Sequence, residues 1–407
     1  MIVARNYTIK ETKSVNFFVF LILVSILSSM GAYYYNNTSL NIVSYASECL
    51  LIVYTILFSK WTGYEGRYIS VCFCSLILVL NYLLSPNNPI YSDLLKYVGY
   101  FCCFHYGFNL AKSYNKLKVS KIILYLLIIV PAFFVAFFDD SVFKDKFFRS
   151  SNGFVYLGVS IATLFLLVSE RNRRSFVKAI IIAIFYVLIC TSLGVLVAAL
   201  LSIMILNLKR SHLLYVLLGG IILGVIIVFV DLPIFIRIRD VFNVWNYMYE
   251  NNVGFNNVDI GELNGLDRQG ERKDASSSVW RIVHWLNLVK AYVVEIWTIP
   301  FGMGAGFSVF TTGYYPHNCY LQILIEYGLI VFVFFLKFVQ YVYSHLHKEG
   351  MLFYFILTML LYYLTENLLS NFPPGTLMYF SIGWALGKYG YENKNNIAQV
   401  KKSVIRY

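Results

Sequence analysis

Apolar runs long enough to cross a lipid bilayer recur along almost the whole chain, and no other feature restricts the fold so severely. A membrane-crossing helix needs roughly 20 consecutive apolar residues, within about 17 to 25. Runs of that length fall near residues 15–35, 40–58, 68–84, 90–111, 121–138, 153–169, 175–190, 192–208, 213–231, 319–343, 351–370 and 373–390. The seventh and eighth come from one tract, Lys178 to Leu208, broken only by Cys190-Thr191-Ser192-Leu193-Gly194, where a short outward hairpin is expected. Composition agrees: 59% of the residues are hydrophobic and 13% charged, against about 25% charged in soluble domains. The expected fold class is therefore an all-α polytopic membrane protein of about 12 transmembrane helices.

The basic residues test this count independently. Most of the 33 Lys and Arg lie in segments that alternate connections place on one side, such as Arg5, Lys10 and Lys13, Lys112 to Lys121, Arg171 to Lys178, and Lys388 to Arg406. The short loops on the other side carry only Lys144, Lys146 and Arg149. By the positive-inside rule both termini are then cytoplasmic, and removing one span would invert every later loop. The expected organisation is helices 1 to 9 over 1–231, a large extracytoplasmic loop over 232–316, helices 10 to 12 over 317–390 and a cytoplasmic tail over 391–407. The first run reads as a retained signal anchor. The net charge of +12 is spread over the short inner clusters, a topological pattern, so no nucleic-acid partner is expected. All seven cysteines fall in or beside apolar segments, which points to neither a disulfide framework nor a thiolate metal site.

The polar chemistry gathers on the outer side. His317-Asn318 stands at the entrance of the tenth run. There the positive end of a helix dipole favours a neutral, base-competent imidazole; the alternative is a capping Asn beside an idle interfacial His. Arg281 lies upstream of Trp285 in the large loop. A guanidinium grips phosphate bidentately and suits a pyrophosphate leaving group, although interfacial arginines also meet lipid headgroups. Arg149, Arg237 and Arg239 are the other outer arginines near run ends. In Pro300-Phe301-Gly302-Met303-Gly304-Ala305-Gly306 the alternate glycines, Gly304 and Gly306 among them, can bring backbone amides close to an anion. Lys96, with Asp93 on the same helical face, forms either an internal ion pair or a contact for an anionic ligand. Glu326 and Glu366 fall within runs, where an uncompensated carboxylate is costly, so both are expected to face the protein interior. Ser276 to Trp297 is expected to form an apolar helix with Arg281, His284 and Asn287 on one stripe, lying on the membrane surface or packed back over the bundle. The acidic loop residues Asp139, Asp140, Asp259, Glu262 and Asp267 read as solvated charges, and neither a metal nor a cofactor is expected.

The order Arg281 and Trp285, Pro300 with Gly302, Gly304 and Gly306, then His317-Asn318, Leu321, Glu326 and Gly328 resembles the O-antigen ligase and polymerase superfamily. Similar motifs of that family correspond to Arg149-Ser150-Ser151-Asn152-Gly153 and to Thr191-Ser192-Leu193-Gly194. The resemblance implies a GT-C-like fold and inverting, metal-independent glycosyl transfer from undecaprenyl-pyrophosphate-linked sugars on the periplasmic face of the bacterial inner membrane. It implies that His317 accepts a proton from the acceptor hydroxyl while Arg281 steadies the departing diphosphate. Asn318, Arg149, Arg237, Arg239, Gly304, Gly306 and Lys96 are the expected substrate contacts. In one departure from the family's pattern, Leu193 stands where an Arg often follows the hairpin Ser. Any diphosphate contact made there must move elsewhere, to Arg149, Arg237 or Arg239.

The compact spacing of His317, Asn318, Glu326 and Gly328 is more similar to the polymerases, which join a growing chain to a new lipid-linked repeat unit, than to the ligases, which hand the chain to lipid A core. The implied partners are the lipid-linked oligosaccharide, membrane lipid and a chain-length regulator protein. A flippase or exporter of lipid-linked sugars is the alternative from another class. It accounts for the apolar runs and basic loops, but not for the ordered Arg, Gly and His-Asn motifs, and no matched pair of broken helices points to a transporter.

Overall fold

The structure, a computed structural model, describes residues 2–34, 38–58, 81, 83, 85, 91–113, 117–137, 151–169, 172–190, 192–207, 233–251, 253, 277–294, 296, 298–369 and 371–404. The described residues are all-helical and form α1 (Ile2–Tyr34), α2 (Thr38–Phe58), α3 (Tyr91–Ser113), α4 (Lys121–Phe137), α5 (Ser151–Val168), α6 (Arg173–Cys190) and α7 (Leu193–Asn207). Then follow α8 (Pro233–Glu250), α9 (Ser277–Val293), the short α10 (Thr298–Phe301) and α11 (Phe307–Thr312), and finally α12 (Cys319–Leu346), α13 (Gly350–Tyr362) and α14 (Phe372–Val404). Among the described residues, two stretches, Ser39–Phe58 and Cys319–Leu346, are long and apolar enough to cross a membrane; Ser14–Met30, Lys121–Phe133, Gly153–Val168, Gly194–Leu206 and Gly350–Tyr362 are shorter apolar helices.

Side-chain bonds fix the helix directions. Ser14 of α1 bonds Tyr54 of α2 at 2.6 Å and Tyr106 of α3 at 2.7 Å, while Ser29 of α1 meets Ser44 of α2, so α1 and α2 are antiparallel. Thr358 of α13 donates to Ser202 of α7 at 3.1 Å, and Tyr362 pairs with Ser192, just before α7, at 2.8 Å. Those helices also run oppositely. In contrast, α3 and α14 are parallel, with Gly99 against Phe372 and Gly107 against Phe380.

The α3–α14 pair is the tightest seam of the bundle. A Cβ built on Gly383 would lie 2.0 Å from the Phe104 carbonyl oxygen, and one on Gly107 would lie 2.3 Å from that of Phe380. Backbone meets backbone there because small residues allow it, the usual device where helices gain little from excluding water. Around this seam Phe18 of α1 packs on Phe380 with ring centroids 4.7 Å apart, and Tyr100 stacks on Tyr379 at 5.1 Å.

The bundle presents apolar side chains on its exterior. Ile42 and Leu57 on α2, Ile122 and Ile129 on α4, Ile181 and Leu188 on α6, and Leu200 and Ile203 on α7 are exposed. Exposed apolar area on this scale is foreign to soluble monomers. The interior holds hydroxyls, each turned back on a carbonyl one turn earlier: Ser160 on Tyr156, Thr163 on Val159, Ser202 on Ala198, and Ser381 on Leu377. Such back-bonding satisfies a buried hydroxyl without a second helix.

Several expectations change. The runs near 68–84 and 213–231 lie outside the described residues apart from Asn81 and Leu83. The run at 351–370 is helical only to Tyr362; the chain then passes through turns before α14 begins at Phe372. Residues 391–404 are helical and continue α14. Within the expected loop 232–316 the expected helix is found as α9, joined by α8, α10 and α11.

Replacing Gly383 by Val should push the seam apart, because the nearest obstacle is a carbonyl that no rotamer can move. The thermal midpoint of the purified protein is expected to drop by the equivalent of about 2 kcal/mol or more, whereas Gly350→Ala, where a Cβ meets nothing within 4 Å, should leave it nearly unchanged.

Candidate functional site

Three separate segments meet at one carboxylate. Glu366, on the turn between α13 and α14, is 3% exposed. Its Oε1 accepts from Arg281 Nη2 of α9 at 2.7 Å, and its Oε2 lies 3.1 Å from His317 Nδ1. The side chains of Arg281 and His317 keep 21% and 30% of their area open to the outside while that of Glu366 keeps 4%. The carboxylate therefore lies behind, and the imidazole and the guanidinium face out. Burying a carboxylate costs several kcal/mol unless charge and hydrogen bonds compensate it, and here two groups do so.

The backbone around His317 explains how this geometry holds. Asn318 has extended φ/ψ of −157° and 108°, and its Oδ1 accepts from the Leu321 amide at 3.0 Å, capping α12. The Cys319 amide donates to the Tyr363 carbonyl at 2.8 Å, the Leu368 amide to Cys319 Sγ at 3.2 Å, and that thiol to the Glu366 carbonyl at 3.1 Å. The turn that carries Glu366 is thus laced to the first turn of α12. His317 itself has φ of 49°, the one left-handed non-glycine among the described residues. Strain of this kind costs about 1 to 3 kcal/mol and persists where neighbouring contacts over-determine it.

The rest of the surround is aromatic. Trp280 stacks on His284 with centroids 4.8 Å apart and presents its edge relation to Tyr314 at 5.4 Å and to His317 at 5.5 Å. The Trp285 indole donates to the Pro316 carbonyl. His284 donates to the Tyr315 carbonyl, while its Nε2 is buried without a partner. Burial, then the proximity of His317, lower the pKa of His284 from 6.5 to about 4, partly offset by the bond to Tyr315. A second proton on that ring would find no acceptor.

The glycine segment is bonded to the break in α12. Met303 and Gly304 donate their amides to the carbonyls of Ile325 and Glu326 at 2.7 and 3.1 Å. Those carbonyls are free of α12 because the helix breaks at Gly328, with φ 82° and ψ 173°. Gly302 and Gly328 sit face to face: a Cβ on either would lie 2.4 Å from backbone atoms of the other segment. Two backbone amides of this stretch meet an internal carboxyl group. The Glu326 carboxylate receives the Ser308 amide at 3.3 Å, Gln322 Nε2 at 3.1 Å, and the Gly306 amide. The amides of Gly304 and Gly306 thus both meet Glu326 within the fold.

Lys96 places its Nζ 2.7 Å from Asp93 Oδ1 in a buried pair. Arg149 lies outside the described residues. Arg237 and Arg239 are carried by α8, which packs on α9 through Val244, Met248, Val279 and Val283, next to the helix that bears Arg281. The hairpin motif reaches the same end of the bundle, with Ser192 on Tyr362 and Gly194 against Thr365 beside Glu366. Glu366 is the residue that sequence reasoning did not assign; a carboxylate inside an apolar run was its only signal. No protein-family model matches the chain, and no curated protein matches it in sequence.

Because the folded-state pKa of His284 lies below its ordinary value, the unfolded chain binds the extra proton first, and stability rises with pH between about 4 and 6.5. Thermal midpoints recorded across that window should fall as the pH drops. In His284→Asn, whose amide keeps the donor to Tyr315, the slope should flatten; equal slopes for the two proteins would refute the assignment.

Proposed function

We propose that the chain is a multi-pass membrane enzyme of about 12 spans, both termini cytoplasmic, that lengthens a lipid-linked glycan on the outer face of the bacterial inner membrane, as an O-antigen repeat-unit polymerase does. One observation carries the reading: Glu366 joins Arg281 and His317, the two residues that the sequence order assigned to leaving group and base. The apolar exterior and the helix directions support the membrane part of it, and the motif order supports the superfamily.

The chemistry follows from the hydrogen bonds. Glu366 at Nδ1 places the imidazole proton on that nitrogen and leaves Nε2 as the base. An acceptor sugar hydroxyl gives its proton to Nε2 as its oxygen forms the new bond to the anomeric carbon of the donor. The bond from that carbon to the diphosphate breaks, and its electron pair departs with the phosphate oxygen. Arg281 gives one N–H to Glu366 and offers the rest of its fork to the diphosphate, matching charge where it develops. A polyprenyl diphosphate is already activated, so positioning, a base and a cation are sufficient. Attack from the side opposite the leaving group inverts the anomeric centre.

Purified protein given one defined lipid-linked repeat unit in detergent should make longer lipid-linked glycans, and should still do so with a chelator present. Transfer to lipid A core instead would indicate a ligase, and no new glycosidic bond at all would leave the exporter. His317→Ala and Arg281→Ala are each expected to lower the rate by about a hundredfold or more, within the range typical of lost acid–base and electrostatic catalysis. Glu366→Gln, which keeps the shape but not the charge, should lower the rate too. Full activity in all three would overturn the site.

A further inference from the structure

We infer that Tyr315 is a positioning residue for His317, gripped from two sides, and that the buried Asp93–Lys96 pair is the anchor of that grip. The inference rests on the reading of His317 as the base. Tyr315 stands two residues before the strained histidine. Its hydroxyl donates to Asp93 Oδ2 at 2.7 Å, across 222 residues of sequence. The other oxygen of Asp93 is taken by Lys96 Nζ, also at 2.7 Å. Asp93 and Lys96 are 4% and 8% exposed, on the first turns of α3. From the opposite side His284 of α9 donates to the Tyr315 carbonyl, and the next residue of α9, Trp285, donates to the carbonyl of Pro316.

The function of such a grip follows from the backbone. A left-handed His is disfavoured by roughly 1 to 2 kcal/mol relative to the ordinary conformations, so a free Tyr315-Pro316-His317 segment would relax and swing the imidazole off Glu366. Downstream, Asn318 is tied into α12 by its cap. Upstream, the proline ring limits one torsion, and the Tyr315 side chain supplies the remaining constraint. Asp93 suits the task because Lys96 cancels its charge and leaves one oxygen to receive the phenol. A lone aspartate at this depth would carry the cost of an unpaired charge. The pair thereby acts on the site at second hand, through a tyrosine, without touching substrate.

The test reads His317 directly and then through catalysis. Diethyl pyrocarbonate acylates exposed imidazoles, and mass spectrometry can follow His317 with His345 and His347, near the far end of α12, as internal references. Tyr315→Phe should raise the His317 labelling rate several-fold relative to the references. The charge-neutral double variant Asp93→Asn/Lys96→Met should do the same, and combining all three changes should add nothing further. In the glycan-lengthening assay Tyr315→Phe should lower kcat about tenfold with KM for the lipid-linked donor little changed, since Arg281 is untouched. A His317 labelling rate equal to wild type in Tyr315→Phe, or additive effects in the combined variant, would overturn the inference. Absence of glycan lengthening by the wild-type protein would instead remove the proposed function, and the labelling would still decide whether Tyr315 holds His317.

Discussion

A carboxylate sealed into an apolar bundle has to be compensated, and Glu366 meets the Arg281 cation at one oxygen and the His317 imidazole at the other. That requirement organises the region around it. Arg281 reaches from α9, His317 from the loop before α12, and Cys319 bonds the backbone of the Glu366 turn itself. Removing either partner leaves a buried charge half compensated, which costs more than the single hydrogen bond suggests. The same arrangement divides labour, with the anion in the interior and the groups that can meet a ligand at the surface.

Much of the helical architecture could be read from apolar run length, because that quantity is set by local composition. The expected runs at 40–58, 121–138, 153–169 and 175–190 correspond closely to α2, α4, α5 and α6. The helix over Ser276 to Trp297 was also legible as α9. The end of α13 was not: Leu364, Leu368 and Leu369 extend the apolar pattern past Tyr362, while the chain turns to bring Glu366 to Arg281. Hydropathy records what is buried, and a turn buried against α12 looks like more helix.

The site was legible in its ends and hidden in its middle. His317-Asn318 showed itself by a cap signal and Arg281 by its place outside the runs. Glu366 lies far along the chain from both, and only folding makes it their neighbour. Lys96 and the glycines were visible as unusual residues, but their partners were not. Asp93 neutralises Lys96, and the amides of Gly304 and Gly306 are taken up by Glu326. A glycine-rich turn offers amides to whichever anion or carbonyl arrives, and here the break at Gly328 supplies both.

The long reach of the Glu366 contacts also sets a temporal order. Arg281 and Glu366 are separated by 85 residues and His317 and Glu366 by 49, whereas the pairing of Met303 with Ile325 closes a much shorter loop. A chain made from its N-terminus exposes Arg281 and His317 to the growing bundle well before their shared anion exists. Until the residues after α13 emerge, the nascent protein holds a cation and an imidazole with no counter-charge between them. The segment after α13 therefore supplies the anion on which both groups converge.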